Sequence, residues 1–180
     1  MRIIAGERRG TRLAVPAGRR TRPTSDRARE SLFAMLGSVG DLDVLDPFAG
    51  SGALGLEALS RGARHAVFCE TSPAALRALR DNIARLRYGD RTEVVRLDGR
   101  RRMAEDAAAG RRYHLLLLDP PYTMLPALQE PFSLQLPGLL VPGGLAVVEG
   151  PASSPAPDLP LELDTTRTYG EARISLYRHG

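Results

Sequence analysis

The sequence is organised around Leu115-Leu116-Leu117-Leu118-Asp119-Pro120-Pro121-Tyr122. Four consecutive leucines are typical of a strand that is buried on both faces, as in a parallel sheet. Proline has no N–H and a fixed φ, so the strand has to end here, with the Asp119 carboxylate, the Pro120 carbonyl and the Tyr122 ring close together. Two acceptors and a flat ring suit an amino group on a planar ring, because the acceptors take its N–H bonds while the aromatic ring stacks on it. We therefore predict that Asp119, Pro120, Pro121 and Tyr122 are the catalytic set; the alternative is a strand that merely ends in a proline turn.

The composition excludes several kinds of chemistry. None of the 25 basic residues is a lysine, which excludes a lysine Schiff base and the Gly-Lys-Ser/Thr of a phosphate-binding loop. The single cysteine, Cys69, has no partner for an internal disulfide, and no Cys/His cluster indicates zinc, so no metal is expected. No apolar run approaches the ~20 residues of a membrane span, and the N-terminus lacks the apolar core of a signal peptide. We therefore expect a cytoplasmic protein without a membrane partner.

The positive charge of the chain is concentrated at its N-terminus. Residues 1–30 contain nine arginines and three acidic residues, whereas the other 150 residues contain 16 arginines and 18 acidic residues. A basic arm on a near-neutral body indicates a polyanionic partner, nucleic acid first. The alternatives are a solvated tail or an arginine-rich proteome. The predicted nucleic-acid contacts are Arg8, Arg9, Arg19 and Arg20.

Apolar strands alternate with amphipathic helices along most of the chain. An N-terminal helix is predicted from Thr24 to about Gly37. Strands are predicted at Val44–Leu45, His65–Cys69, Val94–Leu97, Leu115–Leu118 and Gly144–Glu149. Such alternation predicts an α/β fold with a mostly parallel sheet and helices on both faces, followed by an antiparallel hairpin that turns at Tyr169-Gly170-Glu171. We divide the chain into a basic N-terminal extension with its helix (residues 1–40) and a main domain (residues 41–180).

Each of four consecutive predicted strands ends in a carboxylate. They are Asp46, Glu70, Asp98 and Asp119. Ligands of open α/β sheets bind at the carboxyl ends of the strands, where the strand order reverses. Four acidic residues along that edge therefore predict a binding site.

A glycine-rich loop follows the first of these strands. Gly50-Ser51-Gly52-Ala53-Leu54-Gly55 matches G-x-G-x-x-G, and Glu70, placed to hold a ribose diol, follows Gly50 by 20 residues. These features alone fit NAD. However, Asp46 before the glycines suits a cationic ligand better than a pyrophosphate, and Asp98 is placed to accept an adenine amino group. An adenosine with a positively charged tail is S-adenosylmethionine, so we predict that cofactor.

Several motifs resemble a known family. Asp46-Pro47-Phe48-Ala49-Gly50-Ser51-Gly52 is similar to motif I of class I S-adenosylmethionine-dependent methyltransferases, and Asp119-Pro120-Pro121-Tyr122 is similar to motif IV of their amino-methylating members. Segments from Arg2 to Tyr169-Gly170 resemble the RsmD family, in which Pro47 is commonly leucine and Arg100-Arg101-Arg102 has no counterpart that we can place. The cofactor-binding residues that the motifs and this resemblance together predict are Arg22, Thr24, Asp46, Phe48, Ala49, Gly50, Gly52, Glu70, Thr71, Asp98, Gly99 and Asp119.

The resemblance implies a Rossmann-like fold and methylation of guanine N2 in 16S ribosomal RNA. We also expect a monomer that acts on an assembled or partly assembled small subunit. The resemblance further implies that Arg22 and Thr24 contact the methionine end of the cofactor; the alternatives are an RNA phosphate contact for Arg22 and a helix cap for Thr24. The same four residues, Asp119 to Tyr122 (the tetrad), serve N6-adenine methylation of nucleic acid and glutamine methylation of proteins in other enzymes. The basic N-terminal arm argues against a protein substrate. From other classes, an NAD-binding oxidoreductase or a non-catalytic RNA-binding protein remains an alternative.

Overall fold

The computed structural model describes residues 1–16 and 26–180. Five helices and seven strands alternate along the described chain. The helices are α1 (Asp26–Leu36), α2 (Ala53–Ser60), α3 (Pro73–Leu86), α4 (Gly99–Ala108) and α5 (Leu125–Leu139). The strands are β1 (Asp43–Asp46), β2 (His65–Cys69), β3 (Thr92–Val95), β4 (Tyr113–Leu118), β5 (Leu140–Pro151), β6 (Glu162–Tyr169) and β7 (Ala172–Arg178).

All seven strands belong to one sheet in the order β3-β2-β1-β4-β5-β7-β6. The first five run parallel, and β7 is antiparallel to both of its neighbours. The chain moves outward from β1 to β3 and then returns to place β4 on the other side of β1. This reversal opens a crevice at the carboxyl ends of β1 and β4. The predicted α/β fold, with its parallel sheet and C-terminal hairpin, is confirmed.

Two apolar layers cover the sheet, one on each face. One cluster contains Leu32 of α1, Leu56 of α2 and Leu79 of α3, and the other contains Met103 of α4 and Leu136 of α5. The leucines of β4 alternate between the two layers, and each is at most 1% exposed. This double burial explains why the four leucines of the central strand follow one another without a polar residue between them. Within the described ranges, no helix combines the length and apolarity needed to cross a membrane.

The N-terminal segment packs onto α2. A single antiparallel bridge joins Arg2 to Arg12, and the backbone N–H groups of Ile4 and Ala5 donate to the buried Glu57 carboxylate at 2.8 and 3.0 Å. Gly6 approaches the end of α2 so closely that a Cβ would lie 1.7 Å from a backbone oxygen there. The boundary that we place at residue 40 stays a prediction.

Four of the five predicted strands differ from the observed ones in their bounds, and the third and the fifth differ most. The third predicted strand extends to Leu97, but β3 ends at Val95, because Asp98 starts α4 instead of ending a strand. The fifth begins earlier than predicted, since Leu140 already pairs with Tyr113 before a register shift. The hairpin turn lies as predicted, with Gly170 at φ +60 between β6 and β7.

Candidate active site

A cavity of about 760 Å³ opens at the carboxyl ends of the parallel strands. Its volume lies within the range of small-molecule and cofactor sites. It contains the complete tetrad and most of the predicted cofactor residues. The residues that line it are Pro47, Phe48, Gly50, Cys69, Glu70, Thr71, Leu97, Asp98, Gly99, Asp119, Pro120, Pro121, Tyr122, Thr123, Met124 and Glu149. The cavity thus brings most of the predicted site residues together, although Asp46, Ala49 and Gly52 do not line it, and the contacts of all of them with a ligand stay predictions.

Glu70 fastens the glycine loop to the start of α3. Its carboxylate accepts the N–H of Gly50 at 3.0 Å and the N–H groups of Thr71 and Ser72 at 2.7 Å each. Gly50 adopts φ +56, a left-handed conformation that favours glycine. A carboxylate has about four lone-pair positions, so Glu70 keeps acceptor capacity for a ligand in the cavity.

Asp46 lies beneath the cavity rather than in its wall. It is 1% exposed and accepts the N–H of Gly55 at 3.2 Å, which ties β1 to α2. Burial raises the pKa of the Asp46 carboxyl to about 7, with the neighbouring Glu70 charge acting in the same direction and the backbone donors opposing it. Asp46 thus stabilises the loop from below, and its contact with a cofactor stays a prediction.

Asp98 begins α4 at the rim of the cavity. Its side chain accepts from the backbone N of Arg100 at 2.9 Å, and the Arg100 guanidinium holds both carboxylate oxygens at 2.8 and 2.9 Å. These bonds lower the pKa of Asp98 and keep it ionised. At the next residue, Gly99, a Cβ would lie 2.0 Å from the Pro47 carbonyl oxygen, so glycine allows α4 to approach the β1 loop.

The arginine run on α4 has a structural explanation. Whereas Arg100 pairs with Asp98, Arg101 pairs with Glu105 on the exposed surface at 2.7 Å. Arg102 is 6% exposed and donates to Asp106 at 2.7 Å and to Glu93 of β3 at 2.8 Å. Each arginine therefore has an acidic partner, and Arg102 attaches α4 to β3 at the edge of the sheet.

The tetrad follows β4 directly, and all four of its residues line the cavity. A short 3₁₀ turn begins at Tyr122, whose hydroxyl donates to Glu149 Oε1 at 3.3 Å. Glu149 belongs to β5 and is 4% exposed, and the sequence reasoning missed it. The signal was present, since Glu149 also ends a predicted apolar strand in a carboxylate.

Cys69, which is not among the predicted site residues, also lines the cavity at the end of β2. Burial raises the pKa of its thiol to about 12. The group is therefore a thiol and not a nucleophilic thiolate at neutral pH. Phe48 and Leu97 add apolar surface to the same wall, and the Phe48 ring packs edge-on against Phe132 with 6.5 Å between ring centroids.

Asn82 of α3 connects the glycine loop with the N-terminal segment. Its fully buried amide donates to the Ser51 carbonyl and to the Ala14 carbonyl at 3.0 Å each, and it accepts the Ala14 N–H at 2.7 Å. The sequence contains no local signal for this link, because Asn82 lies 68 residues from Ala14 and 31 from Ser51. The loop is therefore supported from its far side by the same segment that carries the basic charge.

Only part of the predicted nucleic-acid and methionine-end residues can be placed. Arg8 lies over the ring of Tyr88, 5.9 Å from its centroid, and Arg9 is exposed. Four further predicted residues, Arg19, Arg20, Arg22 and Thr24, lie outside the described residues.

Comparisons with known proteins agree with this arrangement. The family model described as "Conserved hypothetical protein 95" matches residues 1–178. Ribosomal RNA small subunit methyltransferase D of Escherichia coli (strain K12) is 37% identical over 182 residues, which cover 99% of this chain and 89% of that protein. A candidate rRNA methyltransferase of Bacillus subtilis (strain 168) is 34% identical over 187 residues, covering 99% of this chain and 98% of that protein.

A solved structure of a candidate methyltransferase from Escherichia coli has a TM-score of 0.86 and 36% identity. The match covers 99% of this chain and 97% of that one. Both the family model and these relatives extend over the basic N-terminal segment as well as the sheet. The chain therefore belongs to the RsmD family of methyltransferases, whose family model carries the description quoted above.

Proposed function

We propose that this protein transfers a methyl group from S-adenosylmethionine to the exocyclic N2 amine of a guanine in small-subunit (16S) ribosomal RNA. The observation that carries the proposal is a single cavity in which the tetrad, residues 119–122, faces the glycine loop and Glu70. The relatives named as ribosomal RNA methyltransferases support the substrate class.

The chemistry of the cavity wall fits S-adenosylmethionine. Glu70 is fixed by three backbone N–H groups and has lone pairs left for the two hydroxyls of a ribose. Phe48 and Leu97 provide apolar surface for an adenine, and Asp98 provides an acceptor for its amino group. A Cβ on Gly50 would meet no atom within 4 Å, which leaves the loop backbone open to a ligand. By the resemblance, Arg22 and Thr24 hold the methionine end.

The tetrad is suited to align an amine. When bound, S-adenosylmethionine supplies an activated methyl group: its S–C bond breaks as the new N–C bond forms, leaving a neutral thioether. The Asp119 carboxylate and the Pro120 carbonyl accept the N–H bonds of the amine, and this favours a pyramidal nitrogen whose lone pair is free to react. Asp119 also offsets the positive charge that develops on nitrogen before its proton leaves to water. Tyr122 stacks on a base that is flipped out of its helix or loop.

The same proposal includes the RNA and its location. In this proposal Arg8, Arg9, Arg19 and Arg20 contact RNA phosphates. The protein acts as a monomer on an assembled or partly assembled small subunit in the cytoplasm. The concentration of positive charge in residues 1–30 supports the assignment of the RNA contacts to this segment. Because phosphate contacts release counterions, RNA affinity falls as salt concentration rises.

Asp119 provides the test of this function. Although Asp119 is also among the predicted cofactor-binding residues, the proposed mechanism gives it the target amine as its partner. We therefore expect Asp119→Ala to leave cofactor affinity nearly unchanged and to lower single-turnover methyl transfer to small-subunit RNA by at least about 100-fold, the scale of losing one preorganised electrostatic contact. Asp119→Asn keeps an acceptor oxygen but loses the charge, so it retains some RNA binding and remains badly impaired. Labelled methyl groups are followed into RNA, and mass spectrometry identifies the modified atom.

The matched control is Asp90→Ala, which removes an exposed carboxylate far along the chain from the tetrad. It should methylate at the rate of the unchanged protein. Transfer at that rate by Asp119→Ala with saturating RNA would show that the tetrad only ends a strand. A methyl group found on an atom other than guanine N2 would refute the proposed substrate atom.

A further inference from the structure

Glu149 is a second carboxylate beside the predicted catalytic one. The last register pair of the parallel strands β4 and β5 is Leu118 with Val148. Asp119 and Glu149 are the residues that follow this pair, so they lie side by side. Neighbouring strands lie about 4.8 Å apart. Both residues line the cavity, and Glu149 is 4% exposed.

The Glu149 carboxylate is held in a defined orientation. On one side β5 pairs with β7, where Glu149 lies opposite Ile174, and on the other side Tyr122 donates its hydroxyl to Oε1 at 3.3 Å. The Tyr122 hydroxyl occupies one of the about four lone-pair positions of this carboxylate. Because the Glu149 carboxylate is nearly excluded from water, a ligand that offers it no hydrogen-bond donor, or a lone pair instead, binds at a cost in free energy.

The C2 amine of guanine has two neighbouring ring nitrogens, N1 and N3, and in the orientation relevant to Glu149, N1 lies towards the end of β5 while the amine reaches Asp119. In guanine, N1 carries a hydrogen and stands next to the N2 amine, so a carboxylate beside Asp119 accepts it. In adenine, N1 next to the N6 amine has a lone pair and no hydrogen, so the same carboxylate repels it. The two bases therefore differ in the sign of this contact.

We propose that Glu149 is the residue that selects guanine by accepting its N1–H while Asp119 accepts from the N2 amine. This inference rests on the proposed function, since it assumes that a purine amine is the methyl acceptor. It assigns Tyr122 two tasks, stacking on the base and orienting the Glu149 carboxylate through its hydroxyl. A purely structural Glu149 would instead only hold Tyr122 in place.

The base 2-aminopurine separates these two roles. It has the amine of guanine at C2, but its N1 has no hydrogen. We compare kcat/KM for methylation of two RNAs that carry guanine or 2-aminopurine at the target position. The ratio between variants cancels the different reactivity of the two amines. The unchanged protein should prefer guanine, and Glu149→Gln should lower the preference at least about tenfold, since its amide donates to the bare N1 and the charged acceptor is lost.

Three further variants accompany this comparison. Glu149→Ala, as a second variant, should also lower the preference. Tyr122→Phe keeps the stacking ring and the carboxylate but removes the hydroxyl that orients it, so it should lower the preference less than Glu149→Ala does. Glu162→Gln, at an exposed position of β6, is the matched control and should change neither rate. Cofactor binding and thermal unfolding establish that each variant is folded.

The outcomes separate the inference from the function on which it rests. If Glu149→Gln and Glu149→Ala slow both substrates by the same factor, Glu149 only supports the structure and the selection role is refuted while guanine methylation stands. If the unchanged protein binds cofactor but methylates no guanine in small-subunit RNA or subunits, the proposed function fails and this inference with it. A lower guanine preference in both variants supports the inference.

Discussion

Replacement of Asn82 by leucine should destabilise the protein and weaken its cofactor loop at the same time. The amide makes three hydrogen bonds of 2.7–3.0 Å, two to Ala14 and one to Ser51. Leucine has a similar size but removes all three and leaves one N–H and two carbonyls without these partners. A net hydrogen bond contributes about 1 kcal/mol and a buried unsatisfied group costs about 1–3 kcal/mol, so we expect a loss of roughly 3–5 kcal/mol.

The second variant at this position, Asn82→Asp, predicts a pH dependence. Aspartate keeps an acceptor for the Ala14 N–H but brings a charge towards two carbonyl oxygens that lie 3.0 Å from the native amide nitrogen. The folded state therefore raises the pKa of the new carboxyl above its unfolded value of about 3.9. Because the folded state then binds the proton more tightly, the variant loses stability as the pH rises above that value.

Urea denaturation at 25 °C measures the free energy of unfolding of each variant, and calorimetry measures S-adenosylmethionine affinity. We expect Asn82→Leu to weaken the cofactor roughly tenfold, because the Ser51 carbonyl loses the bond that fixes its loop. Asp81→Leu, which introduces the same side chain at an exposed neighbouring position of α3, is the control and should change both quantities little. A stability loss below about 1 kcal/mol with unchanged cofactor affinity would refute the argument.

Two further predictions concern the strand-end carboxylates. Since the folded pKa of Asp46 is about 7 and the unfolded one about 3.9, the free energy of unfolding should fall by roughly 4 kcal/mol between about pH 4 and pH 7 from this group alone. Asp46→Asn should abolish that component in urea denaturation, and an equal pH slope in both proteins would contradict it. Glu70→Ala should weaken S-adenosylmethionine and S-adenosylhomocysteine by about 1–3 kcal/mol in calorimetry; tight NAD binding without response to either ligand would overturn the assignment.

The sequence locates the site because its signals are local. The leucines of β4 predict a central strand, the prolines predict its end, and glycines predict a close turn after β1. Once these elements are ordered in a parallel sheet, the rule for ligands at strand ends brings Glu70, Asp98 and Asp119 together. The same rule also applies to the fifth predicted strand, which ends in Glu149. Glu149 was therefore predictable as a site residue, although it is missing from the predicted set.

Contacts between distant segments are not readable in this way. Asn82 looks like any polar residue on an amphipathic helix, yet its amide supports a loop and a segment far away in the chain. Asp46 has the spacing of a ligand contact, but the depth of a side chain below a surface depends on packing that no spacing gives. The pairing of Arg102 with Glu93 likewise depends on how α4 lies against β3, whereas Asp106 is a local partner four residues further along the same helix.

The anchoring of the N-terminal segment has a consequence for how the chain is made. Ala14 and the Asn82 side chain that binds it are separated by 68 residues. At a synthesis rate of about 5–20 residues per second, Asn82 of α3 is made roughly 3–14 s after Ala14. Until then, Ile3 and Leu13, which end at 1% and 6% exposure, remain in contact with water. The described part of this basic segment is thus made before α3 and becomes ordered only after it, and removing that part takes Ile3 and Leu13 out of the folded interior.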